Sequence, residues 1–289
     1  MEQLRRDGYE VVEQFYEPAS LGTALRDFDA VIIRSATKIK EPQIDAAKGG
    51  RLKLIIRAGV GVDNIAVPYA EAAGIQVRNT PRASSNAVAE LALALLFSCA
   101  RNISIAGHTM RENKWEKKAY SKGFELSGKT MGVVGYGRIG SLVGQKAQAL
   151  GMNVLSYVNR HKPEGCECDT MHFVSPDEVF AQSDVIVLCA PGSGKPIVDA
   201  ESLAKMKDGV VIVNVSRGAN VDEAALLDAL NSGKVKAAGL DVWMSEKDPN
   251  WALAQHPAVS CTPHIGAGTK EAQKRIGAEL VDIIEHFEA

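Results

Sequence analysis

"VVGYGRIGSLVGQKAQALGMNVLSYVNR", residues 133–160, is the stretch on which the fold turns. An apolar run ends in Gly135, Tyr136, Gly137, Arg138, Ile139 and Gly140; "SLVGQKAQAL" follows with helical character, and "NVLSYV" is apolar again. Strand, glycine turn, helix and strand within about 30 residues make a unit that holds a dinucleotide. In such a turn the first glycine permits the tight bend. The second lets backbone amides approach a pyrophosphate, and the third lets helix and strand pack closely. The anion then sits at the helix N-terminus, where unpaired amides and the helix dipole favour it. Glycines alone also simply make turns; the strand–turn–helix–strand setting is what gives the motif its specificity.

The far end of the unit departs from the rule. An acidic residue is expected after the second strand to accept hydrogen bonds from the adenosine ribose. The chain has Val158, followed by Asn159, Arg160, His161 and Lys162. A carboxylate there would repel a 2′-phosphate, and valine removes that repulsion. A charge-assisted contact from Arg160 to such a phosphate is worth roughly 1.5–3 kcal/mol. The opposing reading is that these are solvated loop charges and NAD binds without the acid, since one missing contact rarely abolishes binding. The cofactor is NAD or NADP, with the choice open.

Working outward, short apolar runs alternate with helical patterns. "AVIIRS" (30–35), "LKLIIRAG" (52–59) and "IQVRN" (75–79) read as buried parallel strands. Residues 84–113 suit one long helical stretch with Ser84 or Ser85 as its cap. After it, "MGVVGYG", "NVLSYV", "DVIVLCAP", "GVVIVNVS", "AAGLDVW" and "AVSCTPH" make six further strands. The fold class is α/β: two doubly wound parallel-sheet domains, a Rossmann-type nucleotide domain and a smaller flavodoxin-like one. The boundaries are set at 1–87 for the smaller, substrate domain and 88–267 for the dinucleotide-binding domain. Residues 268–289 form an amphipathic helix that returns to the substrate domain. The chain begins inside a helical pattern with no strand before it, as a start codon placed too late would produce.

Composition narrows the class of function. The chain has 289 residues, 46% hydrophobic and 24% charged, with a formal net charge of -2. No global electrostatic case exists for nucleic acid or an acidic membrane surface. The charged N-terminus does not read as a signal peptide, and the longest apolar run is too short for a bilayer. Five cysteines, an odd number, point to reduced thiols and a cytoplasmic setting. His161, Cys166, Cys168 and His172 cluster in sequence, but Cys-x-Cys in a polar stretch reads as a surface loop. No metal is assigned.

Three patches at strand ends carry the chemistry: "NVSRGANVDE" (214–223), "GLDVWMSEKDP" (239–249) and "TPHIGAG" (262–268). They supply Arg217, Glu246 and His264. Singly, a loop arginine is usually solvated and a lone histidine more often packs or caps. Together, beyond the carboxyl ends of strands and after a dinucleotide turn, they make a hydride-transfer site.

With these motifs in hand, the chain resembles the D-isomer-specific 2-hydroxyacid dehydrogenase family over nearly its whole length. "GYGRIG", "VNVSRG", "GLDVW" with Glu246 five positions after Asp241, and "TPHIGAG" carry the resemblance, with "RAGVGVDNI", "GIQVRNTP" and "VAELALALL" in the first part. The resemblance implies that Arg217 binds the substrate carboxylate and carbonyl, a task suited to a planar, permanently charged fork. It implies that His264 exchanges a proton with the carbonyl oxygen and that Glu246 orients His264. Backbone amides at Val60 and Gly61 would grip the substrate carboxylate. Gly135, Gly137, Arg138, Ile139 and Gly140 would lie along the pyrophosphate, and Asp241 would face the nicotinamide amide. Thr80, Ala190, Pro191, Val215, Ser216 and Gly266 would line the cofactor, with Asn159 and Arg160 at the ribose.

Within the family, "IIRAGVGVDN", "NTP" and the stretch from "RENKWEKK" to "GRIG" are most similar to D-3-phosphoglycerate dehydrogenases. The implied reaction interconverts 3-phosphoglycerate and 3-phosphohydroxypyruvate in serine synthesis. Arg57 would then lie near a phosphorylated substrate, or else pair with a neighbouring carboxylate. Val158 and "YVNR" are similar instead to NADPH-using hydroxypyruvate and glyoxylate reductases, the alternative function. A dinucleotide-sensing binding protein, like the family's corepressors, is a third reading. The expected partners are a small 2-hydroxy or 2-oxo acid and, through the nucleotide domain, a second copy of the chain.

Overall fold

Apolar runs of four or five residues with no polar face can bury both sides only inside a parallel sheet covered by helices. The strands named below all pair in parallel with one another. The structure, a computed structural model, describes residues 1–157, 168–192 and 194–287. Val158, Asn159, Arg160, His161 and Cys166 lie outside the described residues. The elements begin with helices α1 (Glu2–Arg6) and α2 (Pro18–Ala24), then β1 (Ala30–Ile33), α3 (Glu41–Ala47), β2 (Leu54–Arg57), α4 (Val67–Ala72) and β3 (Gln76–Asn79). Next come α5 (Ser85–Arg101), α6 (Ile103–Arg111), β4 (Thr130–Val134), α7 (Arg138–Ala149), β5 (Asn153–Ser156), β6 (Met171–Phe173), α8 (Pro176–Gln182) and β7 (Val185–Leu188). The chain ends with α9 (Ala200–Lys205), β8 (Val210–Asn214), α10 (Glu223–Ser232), β9 (Val235–Leu240), α11 (Trp251–Ala254), β10 (Val259–Cys261) and α12 (Lys270–Glu285).

These elements form two compact units, Met1–Ser84 with Ala267–Ala289, and Ser85–Gly266. The first unit holds a parallel sheet in the order β1-β2-β3. Alternation along β2 divides its core: Ile55 packs with Leu21, Ile44 and Ala70 of the helices on one face. Leu54 and Ile56 face the other way, onto Ile276 and Leu280 of α12. Thr269 caps α12 by accepting the amide of Ala272, and Arg275 Nε donates to the carbonyl of Ala83.

The second unit holds a seven-stranded sheet in the order β10-β9-β8-β7-β4-β5-β6, every described pairing within it parallel. Val185, Val187, Val211 and Val213 face α5 and α7 through Ala92, Leu95, Val143 and Ala147. Ile186, Leu188, Val210 and Ile212 face the opposite layer of Phe180, Leu203, Leu226 and Leu253. The direction of winding reverses between β4 and β7, and such a switch point opens a crevice beyond the strand carboxyl ends.

Two elements differ from the sequence-based reading. The single helix expected over 84–113 is two helices, bent by 68° at Asn102, whose φ of 54° is left-handed. Asparagine tolerates that conformation better than other residues with a side chain, so the break needs no glycine or proline. Strand β6 is additional to the six expected after residue 129. It is three residues long, an edge strand pairing only with β5, and too short to show a period. No single helix among the described residues is long and apolar enough to cross a membrane.

Candidate active site

The glycine turn lies at the switch point. Gly135 follows β4 with φ of 96°, and a Cβ there would stand 2.5 Å from the amide nitrogen of Ala190, beyond β7. Only glycine meets both demands, the left-handed backbone and the close approach. A Cβ on Gly140 would meet the carbonyl oxygen of Gly135 at 2.1 Å, so the third glycine sets α7 against the turn. At Gly137 no protein atom lies within 4 Å of that position among the described residues. Gly137 also supplies no side-chain cap to α7, so the first amides of this 12-residue helix keep their capacity to bind an anion. Arg138 is exposed and Ile139 half-buried. Turn, open side and uncapped helix fit a pyrophosphate.

The catalytic candidates stand on loops beyond β8, β9 and β10. Glu246 Oε1 lies 2.5 Å from His264 Nδ1. A carboxylate only accepts, so the proton belongs on Nδ1 and Nε2 is the nitrogen left for a substrate. The loop that presents His264 is organised by Asp241, 1% exposed. One carboxylate oxygen of Asp241 accepts the Thr262 hydroxyl at 2.6 Å and the Ile265 amide at 2.8 Å. The other accepts the Gly266 amide at 2.9 Å, and the Asp241 carbonyl accepts the His264 amide at 2.8 Å. These four bonds hold His264 at φ of 54°, a left-handed conformation that a histidine adopts only when its surroundings impose it. Trp243 Nε1 donates to the Thr262 carbonyl at 3.2 Å and adds a further anchor. The role of Asp241 in shaping this loop was missed by sequence reasoning. The sequence displays only the carboxylate itself; its amide partners appear once the loop is folded.

Arg217 is half-buried just beyond β8, and its Nη1 donates to the Ser216 carbonyl at 2.7 Å. Val215 and Ser216 are buried beside it, 6% and 7% exposed. Ala190 and Pro191 follow β7, Ala190 buried and Pro191 exposed. All these residues belong to the unit Ser85–Gly266.

Arg57, Val60, Gly61 and Thr80 belong to the other unit. Arg57 Nη1 donates to the Ala58 carbonyl at 2.6 Å, and the guanidinium occupies the space where a side chain on Gly59 would go. Asn79 Nδ2 donates to the Val60 carbonyl at 2.6 Å, so β3 braces the 59–61 loop. Thr80 donates its amide to the Gly59 carbonyl. Its hydroxyl is fully buried without a hydrogen-bond partner among the described residues. Of the cysteine cluster, Cys168 and His172 are described: Gln148 Nε2 donates to Cys168 Sγ, and His172 lies against the Asp169 carbonyl.

Comparison with known proteins assigns the class. Residues 93–266 match the family described as D-isomer specific 2-hydroxyacid dehydrogenase, NAD binding domain. The chain belongs to this family of nicotinamide-dependent oxidoreductases acting on CH–OH groups. It is 45% identical over 287 residues to a hydroxypyruvate reductase of Thermotoga maritima, covering 97% of this chain and 92% of that protein. It is 41% identical over 263 residues to a D-3-phosphoglycerate dehydrogenase of Mycobacterium tuberculosis, covering 90% of this chain but 49% of that one. Among solved structures, a glyoxylate reductase from Paecilomyes thermophila superposes with a TM-score of 0.82 at 37% identity, over 89% of this chain and 80% of that one.

Proposed function

We propose that the chain interconverts a three-carbon D-2-hydroxy acid and its 2-oxo acid, with 3-phosphoglycerate and 3-phosphohydroxypyruvate as the pair. The observation that carries the chemistry is the Glu246–His264 contact on a loop clamped by Asp241. A nicotinamide held at the glycine turn would supply or receive the hydride at C2. His264 Nε2 gives a proton to the carbonyl oxygen as hydride arrives and takes it back in the reverse direction. Glu246 fixes the ring through Nδ1, and Arg217 receives carboxylate and carbonyl oxygens in its fork. The family resemblance assigns the amides of Val60 and Gly61 to the substrate carboxylate, and a cation at Arg57, at the foot of the same loop, would favour a phosphorylated acid.

A second reading, a hydroxypyruvate or glyoxylate reductase using NADPH, is favoured by Val158 standing where an acid would exclude a 2′-phosphate. The relative of that name also matches over nearly its whole length, whereas the chain spans about half of the phosphoglycerate dehydrogenase. Steady-state reduction of 3-phosphohydroxypyruvate, hydroxypyruvate and glyoxylate, each with NADH and NADPH, separates the two. Higher kcat/KM for the phosphorylated acid supports the first reading; higher kcat/KM for the unphosphorylated acids with NADPH replaces it with the second. Arg217→Ala is expected to lower kcat/KM at least 100-fold, about 3 kcal/mol of transition-state stabilisation. We also propose that the working form is a homodimer joined through the nucleotide-binding unit.

A further inference from the structure

Around Arg217 runs a polar network that is buried almost completely. Asn214, Ser216 and Asn220 are 1%, 7% and 0% exposed. Asn214 Nδ2 donates to the Arg217 carbonyl at 2.8 Å, and the same carbonyl accepts the Asn220 amide at 3.1 Å. Ser216 donates its amide and its hydroxyl to Asn214 Oδ1. Asn220 Nδ2 divides its two hydrogens between Ser216 Oγ and the Ala190 carbonyl, each at 2.9 Å. The Asn220 carbonyl accepts the amides of Ile197 and Val198, at 2.8 and 3.0 Å. One residue therefore holds both feet of the connection that leaves β7, and is itself bonded to the backbone of Arg217. Its Oδ1 is buried with no hydrogen-bond partner among the described residues. Val198 and Val221 beside it are apolar and buried, so a leucine would remove that orphan oxygen while leaving the Ala190 carbonyl and Ser216 Oγ without their donor. What the amide adds is its two donors, one aimed at each loop.

We infer that Asn220 is a positioning residue: it locks the turn at Ala190 and Pro191 to the backbone of Arg217. Nucleotide and 2-oxo acid are thereby gripped in one register. The inference rests on the role given to Arg217 above. A donor lost here lets the two loops drift independently, and displacements of about 1 Å at such contacts are costly to catalysis.

The test uses Asn220→Asp, which keeps the shape and removes both donors, and Asn220→Leu, which also removes the orphan oxygen. For each, KM and kcat are measured with the preferred 2-oxo acid, Kd for NADH and NADPH by fluorescence, and Tm by calorimetry. KM is expected to rise about tenfold in both, the loss of one ordinary hydrogen bond's worth of binding, with Kd also raised. In Asn220→Leu the loss of the orphan oxygen offsets part of the cost of leaving the Ala190 carbonyl without its donor, and the KM defect, measured well below the Tm, persists after folding is secured, which a merely structural asparagine would not give. Combined with Arg217→Lys, the Asn220→Asp effect on KM is less than multiplicative, because both act on one contact. Wild-type KM and Kd in both single variants would overturn the inference. If the wild-type protein reduces no 2-oxo acid, the reading of Arg217 fails instead, and unchanged nucleotide Kd in the variants then overturns the inference separately.

Discussion

His264 and Gly135 occupy left-handed backbone for different reasons, and substitution separates them. At Gly135 the conformation and the 2.5 Å approach to Ala190 are both intolerant of a side chain. Gly135→Ala is expected to cost roughly 2–4 kcal/mol of stability, read by urea unfolding, and to weaken nucleotide binding with it. At His264 the backbone is held by Asp241. Asp241→Asn replaces an accepting oxygen with a donor that must face the amides of Ile265 or Gly266, or the Thr262 hydroxyl. A loss of about 2 kcal/mol of stability and a fall in kcat of at least tenfold are expected, with the fall in kcat persisting below the Tm. An unchanged kcat would mean that His264 keeps its position without the clamp. Arg217, Glu246 and His264 could be picked out in the sequence as candidates because each is a reactive group in a patch that follows an apolar strand. The clamp could not, because its acceptor is contiguous with β9 while its donors come from the 262–266 loop. No local pattern encodes a backbone amide turning back toward a carboxylate some twenty residues earlier.

At the level of elements the central strands were legible because they are apolar without alternation; the helix break and β6 were not, and β3, expected to be buried, is an edge strand with Arg78 exposed. Asn102 lies in "CARNISIA", a helix-compatible run, and only its φ of 54° marks the corner between α5 and α6. Asn102→Gly should leave thermal stability nearly unchanged, whereas Asn102→Val should cost about 1–2 kcal/mol, since a β-branched residue is strained in that conformation. The sheet also carries a titrating staple at its base. Asp184, just before β7, accepts the Thr130 amide at the start of β4 at 2.8 Å and the Lys207 ammonium at 3.0 Å. Burial pulls its pKa upward, but the Thr130 amide and Lys207 outweigh that and hold it below its ordinary value of 3.8. A carboxylate lowered on folding contributes stability that is present above its unfolded pKa and lost as the pH falls through the folded one. Wild type should therefore lose roughly 1 kcal/mol relative to Asp184→Asn as the pH drops below about 4, a modest figure because the group is part-exposed and solvent screens its contacts. Parallel pH–stability curves for the two proteins would remove Asp184 from the account.

At the scale of the whole molecule, helix α6 stands out among the described residues for its exposed apolar side chains. Helix α6 has no buried residue, although Ile103 and Met110 on it are 56% and 54% exposed, and Trp115 just beyond it is 78% exposed. Phe97, on the exposed side of α5, is exposed as well. Exposed apolar side chains on α5, on α6 and on the segment just after it are the sort of surface that a protein covers on association. A second copy of the chain is the occupant proposed above, and a two-fold contact between identical arms would bury each patch against its counterpart. Sedimentation equilibrium at micromolar concentration should return twice the monomer mass. Replacing Ile103 and Trp115 together by glutamate should return the monomer with its far-UV spectrum intact, because neither side chain supports the core of its own unit. The same variant reports on whether association matters to the chemistry. Arg217, Glu246 and His264 are all supplied by one chain, so a dissociated subunit keeps every group assigned to proton and carboxylate handling. A stable monomer with near-wild-type kcat/KM would make the dimer a device for stability. A large loss in the monomer would mean that the α6 arm holds the shape of the nucleotide-binding unit on which those groups stand. A wild-type protein that sediments as a monomer would refute the dimer altogether and leave the arm for another partner.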